Sequence, residues 1–294
     1  MLLIYFSGQM PSRFLVFVSL QQKRPAMLAF ANCKINLGLN ITARRADGYH
    51  ELETIFYPVK LYDVVELNAA ENTSCQIRGL DIPGSGEDNL CLKAFRLLQK
   101  EFDLPEQQIT LLKNIPIGAG LGGGSADAAF LLKLINSKFS LGITETELER
   151  YAGTLGADCP FFIQNKAVYA AGIGDEFSAV NVDLSGYHIT IVKPPVHIST
   201  AEAYGAVRPA APPISLKDVI NLPVSEWKGK VKNDFESPVF QKYPEIAQIK
   251  QMLYDSGATF ALMSGSGSSV FGIFENNVKL PELEQNNLIF YTRP

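Results

Sequence analysis

A chain of 294 residues with 47% hydrophobic, 19% charged and 10% aromatic residues can bury a substantial core, which excludes a disordered or collagen-like chain. Its formal net charge of -4 gives no basic field of the kind that dominates nucleic-acid binding, so any nucleotide bound here is expected to be a small ligand. Four cysteines (Cys33, Cys75, Cys91, Cys159) lack paired spacing, and His50, His188 and His197 do not join them in a zinc pattern, so reduced thiols in the cytoplasm are expected.

The chain opens with two apolar runs, Leu2 to Phe6 and Phe14 to Leu20, broken by Gln9, Ser12 and Arg13. Neither approaches the roughly 20 apolar residues of a membrane span, and residues 1–26 are expected to be an extension without function. From Met27 the run MLAFANCKINLGLNITA reads as strands with a local irregularity near Cys33 and Lys34. Arg44 to Gly48 form a polar turn, and further strands are expected at Thr54–Leu61, Val64–Ala70 and Cys75–Gly79. Asp88 and Asn89 can cap a helix whose apolar positions are Leu90, Ala94, Leu97 and Leu98. A strand at Gln108–Leu112 leads into a glycine-rich loop, and Ala126–Phe139 has helical length and spacing. Thr144 with Glu147 is a capping-box pattern that opens a helix at Glu145–Leu155, ended by Asp158 and Pro160.

The second half alternates again. Strands are expected near Ala167–Ala171 and His188–Val192, a loop at Arg208–Pro213, a helix near Pro244–Tyr254, and strands flanking Ser264–Ser268. The order is that of an α+β protein with two lobes, residues 27–170 and 171–294, which leaves room for a C-terminal strand to return to the first lobe.

Pro116 to Ala129, PIGAGLGGGSADAA, holds five glycines in the seven residues from Gly118 to Gly124 and runs straight into a helix. Such a loop can adopt backbone angles closed to other residues and present successive N–H groups, with the helix dipole behind them, to an anion. A Walker A loop is excluded because Gly124-Ser125 lacks the lysine. A dinucleotide fold, which needs a βαβ unit with an acidic residue about 20 positions on, does not match, since the following stretch from Lys138 to Leu141 has none. Phosphate is the expected guest. Asp158, between a helix and an apolar Pro-Phe-Phe run, reads by itself first as a helix-capping or turn aspartate, and becomes a candidate general base beside a phosphate loop and Lys34. Lys34 alone reads as a solvated strand-edge lysine.

PIGAGLGGGSADAA resembles the second motif of the GHMP kinases, and MSGSGSSVFGIF (Met263 to Phe274) resembles their third. Within that group NCKINLGLNI (Asn32 to Ile41), RRADGYHELET (Arg44 to Thr54) and GADCPFFI (Gly156 to Ile163) are similar to the 4-diphosphocytidyl-2-C-methyl-D-erythritol kinase family of the non-mevalonate isoprenoid pathway, over nearly all of the chain from Met27. Cys33 stands where alanine is usual there and Ala31 where proline is common. The resemblance implies a two-lobe GHMP fold and transfer of the γ-phosphoryl group of ATP, with Mg²⁺, onto the 2-hydroxyl of a cytidine-diphosphate-linked methylerythritol. It implies Asp158 as base and Lys34 as its partner, with ATP on Lys113, Pro116, Gly118, Ala119, Gly120, Leu121, Gly122, Gly123, Gly124 and Ser125. Tyr49 and Tyr204 would sandwich the cytosine, His50 would read its edge, and Asn36 would touch the substrate. Ser125 is the only residue suggested for Mg²⁺. No membrane or nucleic-acid partner is implied. Two other readings stay open: a GHMP kinase for a sugar, homoserine or mevalonate, and a nucleotide-binding protein without catalysis.

Overall fold

The computed structural model describes residues 27–81 and 86–294, so the expected extension over 1–26 lies outside the described residues. One long hairpin organises the first lobe. β1 (Met27–Arg44) and β2 (His50–Ala69) pair antiparallel, with register shifts between Asn32 and Cys33 and between Asn36 and Leu39. These shifts are the irregularity expected near Lys34, and they re-aim side chains locally. Every β1 residue from Ala31 to Ile41 is buried, including Lys34 and Asn36.

β2 runs unbroken where two strands were expected. Asp63, in the gap between the two expected strands, is fully buried, and its carboxylate accepts the N–H groups of Asn114 at 2.5 Å and Ile115 at 2.8 Å and pairs with Lys113. A charge satisfied in this way can stay inside a strand.

β3 (Ser74–Gly79), α1 (Leu90–Phe102) and β4 (Gln107–Lys113) form a parallel strand-helix-strand unit, and the Asn89 side chain caps α1 by accepting from Cys91 N. α2 (Gly123–Phe139), α3 (Glu145–Leu155) and α4 (Phe161–Gln164) follow, and the Thr144–Glu147 capping box of α3 is formed as expected. β5 (Val168–Ala171) and β6 (Glu176–Ala179) then complete a six-stranded sheet in the order β3-β4-β2-β5-β6, with β1 paired to β2. The first sheet therefore runs to Ala179, and the expected boundary at residue 170 falls inside β5. Helices α1, α2 and α4 pack on this sheet through Phe95, Leu98, Leu131, Ile135 and Phe161, against Val65, Leu67, Ile109 and Leu111, and α3 packs against these helices.

The second lobe holds β7 (His188–Lys193), α5 (Thr200–Ala206), α6 (Leu216–Val219), α7 (Glu236–Lys242), α8 (Pro244–Asp255), β8 (Phe260–Met263), β9 (Val270–Phe274), α9 (Pro281–Glu284) and β10 (Leu288–Thr292). Its four-stranded antiparallel sheet has the order β10-β7-β9-β8. The last strand joins this sheet and not the first, although Lys60 N donates to Arg293 O beside it at 3.2 Å. A common apolar core ties the lobes: Cys33, Ile35, Leu37, Ile55 and Val59 of the hairpin pack with Ile189, Ile191, Phe260, Leu262 and Phe271. Burying each such aliphatic or aromatic side chain stabilises by about 1.5–3 kcal/mol. The lobes are thus held in register around the surface between them, where the polar residues of β1 emerge.

Candidate functional site

Lys34 sits in the buried stretch of β1, and its backbone N–H donates to Leu121 O at 3.0 Å, which ties the strand to the glycine loop. Its ammonium donates to Asn36 Oδ1 at 2.6 Å, lies 4.7 Å from the centre of the Phe56 ring, and stands 3.5 Å from Asp158 Oδ2. The Lys34 side chain is 5% exposed and that of Asp158 36%, so the cation is fixed inside while the carboxylate opens to a ligand. Asn36 is held in turn: its Nδ2 donates to Thr54 Oγ1 at 2.9 Å, and Thr54 donates to Gly38 O at 2.5 Å.

The glycine loop crosses directly above this group. Gly120 has φ +75°, and a Cβ there would overlap the Ser264 carbonyl oxygen. Gly122 has φ +67°, and a Cβ there would lie 3.1 Å from Lys34 Cε and 3.0 Å from Phe162 Cζ. Only glycine allows such conformations and approaches together. Gly122 also caps α2 without a side-chain hydrogen bond, so the first N–H groups of the helix remain available to an anion. The residues present therefore fit a phosphate chain. Ser125, in the first turn, faces Cys159, whose thiol is pushed up to about 11, chiefly by burial. Among the described residues no group of three or more His, Cys, Asp or Glu side chains could hold a metal ion.

A second glycine loop, residues 264–269, joins β8 to β9 and closes on the first. Ser264 Oγ donates to Gly120 O at 2.8 Å and accepts from Asn36 N at 3.2 Å, while Ser269 N donates to Ala119 O at 3.3 Å. The two motifs thus form one surface. It lines a cleft of about 440 Å³ that runs from Asn89, Leu90 and Cys91 past Lys34, Asn36 and Asp158 to Leu52, Tyr204 and Phe235. This volume lies within the range of small-molecule sites.

Lys113, expected beside ATP, is 1% exposed and lies beneath Gly123. Burial works against its charge, yet Asp127 at 2.8 Å and Asp63 hold it above the ordinary lysine value. It lines the cleft floor, but its ammonium is committed to two carboxylates. The wall opposite is aromatic. The Tyr204 ring meets Phe235 edge-on at 4.9 Å and stacks on His50 at 5.1 Å. Burial first and the Asp158 charge second push the Tyr204 hydroxyl up to about 12. Tyr49 is not brought to this wall. It is 61% exposed on the turn before β2, which Arg45 braces through Asp47 at 2.9 Å and Glu51 at 2.6 Å.

The structure therefore gathers Lys34, Asn36, Asp158, Tyr204 and residues 116–125 around one cleft, sets His50 against Tyr204, and leaves Tyr49 outside. Sequence reasoning missed Thr54 and Ser264 as supports, though both lie within recognised motifs. It also missed Asp127, although that residue lies within the first glycine motif, and Asp63 and Asn233, whose main partners are distant in the chain and leave no local signal.

Two family descriptions match the chain: the GHMP kinases N terminal domain over residues 89–166 and the GHMP kinases C terminal over residues 224–288. A Bacteroides fragilis protein named 4-diphosphocytidyl-2-C-methyl-D-erythritol kinase is 52% identical over 262 residues, covering 88% of this chain and 96% of that one. One of the same name from Porphyromonas gingivalis is 48% identical, covering 86% and 94%. A crystal structure of 4-(cytidine 5'-diphospho)-2C-methyl-D-erythritol kinase superposes with TM-score 0.75 at 30% identity, covering 90% of this chain and 98% of that one. The mevalonate kinase of Methanococcus jannaschii has the same fold, with TM-score 0.67 at 15% identity.

Proposed function

The chain belongs to the 4-diphosphocytidyl-2-C-methyl-D-erythritol kinases of the GHMP kinase family, and from that premise we propose how its cleft carries out ATP-dependent phosphorylation. The acceptor is the 2-hydroxyl of 4-diphosphocytidyl-2-C-methyl-D-erythritol, the products are its 2-phosphate and ADP, and the reaction serves isoprenoid precursor synthesis.

Asp158 takes the proton of the acceptor hydroxyl as its oxygen attacks the γ-phosphorus and the bond to the ADP oxygen breaks. Phosphoryl transfer asks mainly for positioning and for stabilisation of spread negative charge. Lys34 supports both demands: at 3.5 Å it orients the Asp158 carboxylate, and its charge lies under the glycine loop. The N–H groups of residues 118–125 and the second loop hold the phosphates, and Mg²⁺ bound with ATP would neutralise part of their charge, with Ser125 the side chain that would meet it. Asn36 fixes Lys34. Lys113 acts from beneath, as part of the loop's foundation. Tyr204 offers a flat face to cytosine and His50 a polar edge, with Tyr49 reaching the base only if its turn folds over. The first lobe carries most of the nucleotide contacts and the second supplies Tyr204 and the closing loop. Four free cysteines, three of them buried, support a cytoplasmic setting.

The observation that carries this reading is the Lys34–Asp158 pair facing two interlocked glycine loops in one cleft. The test is phosphate transfer from labelled ATP to the cytidyl alcohol, a sugar, homoserine and mevalonate in parallel. Turnover confined to the cytidyl alcohol supports it; faster transfer to another acceptor, or none to any, rejects it.

A further inference from the structure

We infer that Asn233, which does not itself line the cleft, is a positioning residue that turns the Ser266 backbone N–H toward the phosphate-binding surface by holding the Gly265 carbonyl on the opposite side. The inference rests on the reading that the second glycine loop contacts the ATP phosphates.

Asn233 lies just before α7 on a segment stitched to the catalytic strand. Leu39 N donates to Lys232 O at 2.8 Å, Asp234 N donates to Leu39 O at 2.9 Å, and Asp234 Oδ2 accepts from Ile41 N at 2.7 Å. The Asn233 side chain, 3% exposed, reaches into the second glycine loop. Its Nδ2 donates to Met263 O and to Gly265 O, both at 2.8 Å, and its Oδ1 accepts from Phe235 N at 3.0 Å. Only one orientation of the amide serves two carbonyls and one N–H, so both donors are committed to the loop. Glu236 fixes the other side of Met263 by accepting its N–H at 2.9 Å, and Lys250 holds Glu236 at 2.6 Å.

In a planar trans peptide the C=O and the next N–H point in opposite directions. The Gly265 carbonyl points to Asn233, so the Ser266 N–H points away from it. Gly265 and Ser266 line the cleft and Asn233 does not, which sets that N–H on the cleft side. Neighbouring amides are used internally: Ser264 N donates to Ser269 O at 2.9 Å and Gly267 N to Ser264 O at 3.0 Å. Among the described residues no protein acceptor meets the Ser266 N–H, so it is available to a ligand anion. Gly265, at φ +56°, has no side chain to restrict its torsions, and among the described residues the Asn233 amide is the donor that fixes its carbonyl.

The test measures binding of a non-hydrolysable ATP analogue and of the cytidyl alcohol by calorimetry in wild type, Asn233→Ala, Asn233→Ser and Gly265→Ala, with melting temperatures. The expected result is at least a tenfold loss of analogue affinity in Asn233→Ala, at least fivefold greater than any loss for the cytidyl alcohol, with Asn233→Ser recovering part of it. Losses within fivefold of each other, or an unchanged analogue affinity, overturn the inference by reducing Asn233 to a structural tie. If Asn233→Ala does not fold, Asn233→Ser is judged by the same fivefold criterion, and failure of both to fold also overturns it. Gly265→Ala separates the two levels. If it too leaves analogue binding intact, the phosphate role of the loop has failed; if it weakens binding while the Asn233 variants do not, only the role of Asn233 has failed.

Discussion

The Lys34 ammonium stands 3.5 Å from the Asp158 carboxylate and donates at 2.6 Å to Asn36, so the cation is positioned chiefly by its own strand and the carboxylate keeps an open face. A base engaged on all sides by protein donors would be a poor proton acceptor. Asp158, proposed as the base, is engaged among the described residues by Lys34 alone.

Asp158→Asn keeps the shape of the side chain and removes its ability to take a proton. Turnover is expected to fall by about 10²–10⁴-fold, the usual contribution of a general base, while affinity for ATP and for the cytidyl alcohol stays within a few-fold. Steady-state kinetics with calorimetry of both ligands checks this, and near wild-type turnover would remove Asp158 from the base role.

Lys113→Met is expected to act on stability before it acts on binding. It would leave Asp63 and Asp127, both buried, without the cation that pairs them. Breaking a buried ionic group by removing one partner typically destabilises by about 3–5 kcal/mol. Urea unfolding would show this, and a loss under about 1 kcal/mol would mean that Lys113 is not the keystone of the group.

Asp127 adds a pH dependence. Burial outweighs the attraction of Lys113 and raises its carboxyl to about 7, and among the described residues Asp127 Oδ1 has no hydrogen-bond partner. Between about pH 4, the ordinary aspartate range, and pH 7 the native protein binds a proton there that the unfolded chain has released. The contribution of this group to stability is thus lost as pH rises through that window and is flat above it. Asp127→Asn removes the titration. The stability of the variant relative to wild type should therefore increase from pH 5 to pH 8 in urea titrations, and a constant or opposite difference would show Asp127 to be ionised throughout.

Much of this architecture was legible because its signals are local. The capping box at Thr144, the asparagine cap at Asn89, and the glycine loop running into α2 are each set by residues a few positions apart. The unbroken β2 was not legible, because the Asp63 charge is satisfied by Lys113, Asn114 and Ile115 across the sheet. The same limit hid α5 and α7. Their short, mixed sequences carry little periodicity and are held by packing against α8 and the second sheet. At the site, Lys34 and Asp158 were read from motifs that resemble a known family. Their separation and the interlock of the two glycine loops came only with the fold.

The aromatic wall gives the prediction that separates this chain from its fold relatives. The expected clasp of cytosine between Tyr49 and Tyr204 meets an unequal pair: Tyr204 lines the cleft against Phe235, while Tyr49 is exposed on a turn braced by Arg45. Tyr204→Ala should weaken the cytidyl alcohol by about 1–3 kcal/mol, the scale of base stacking on an aromatic side chain, and leave ATP affinity unchanged. Tyr49→Ala should cost less, because a braced turn must first fold over before that ring can reach the base. His50 stacks on Tyr204 at 5.1 Å, so a base that takes this face must displace it, and the imidazole then becomes free to meet the base edge. His50→Ala should accordingly erode discrimination between cytidyl and uridyl forms more than it lowers cytidyl affinity, since hydrogen bonds and not stacking tell these bases apart. Calorimetry of both forms against the three variants reads each effect separately. Unchanged cytidyl affinity in Tyr204→Ala would move the base off this wall, and equal losses in Tyr49→Ala and Tyr204→Ala would restore the symmetric clasp.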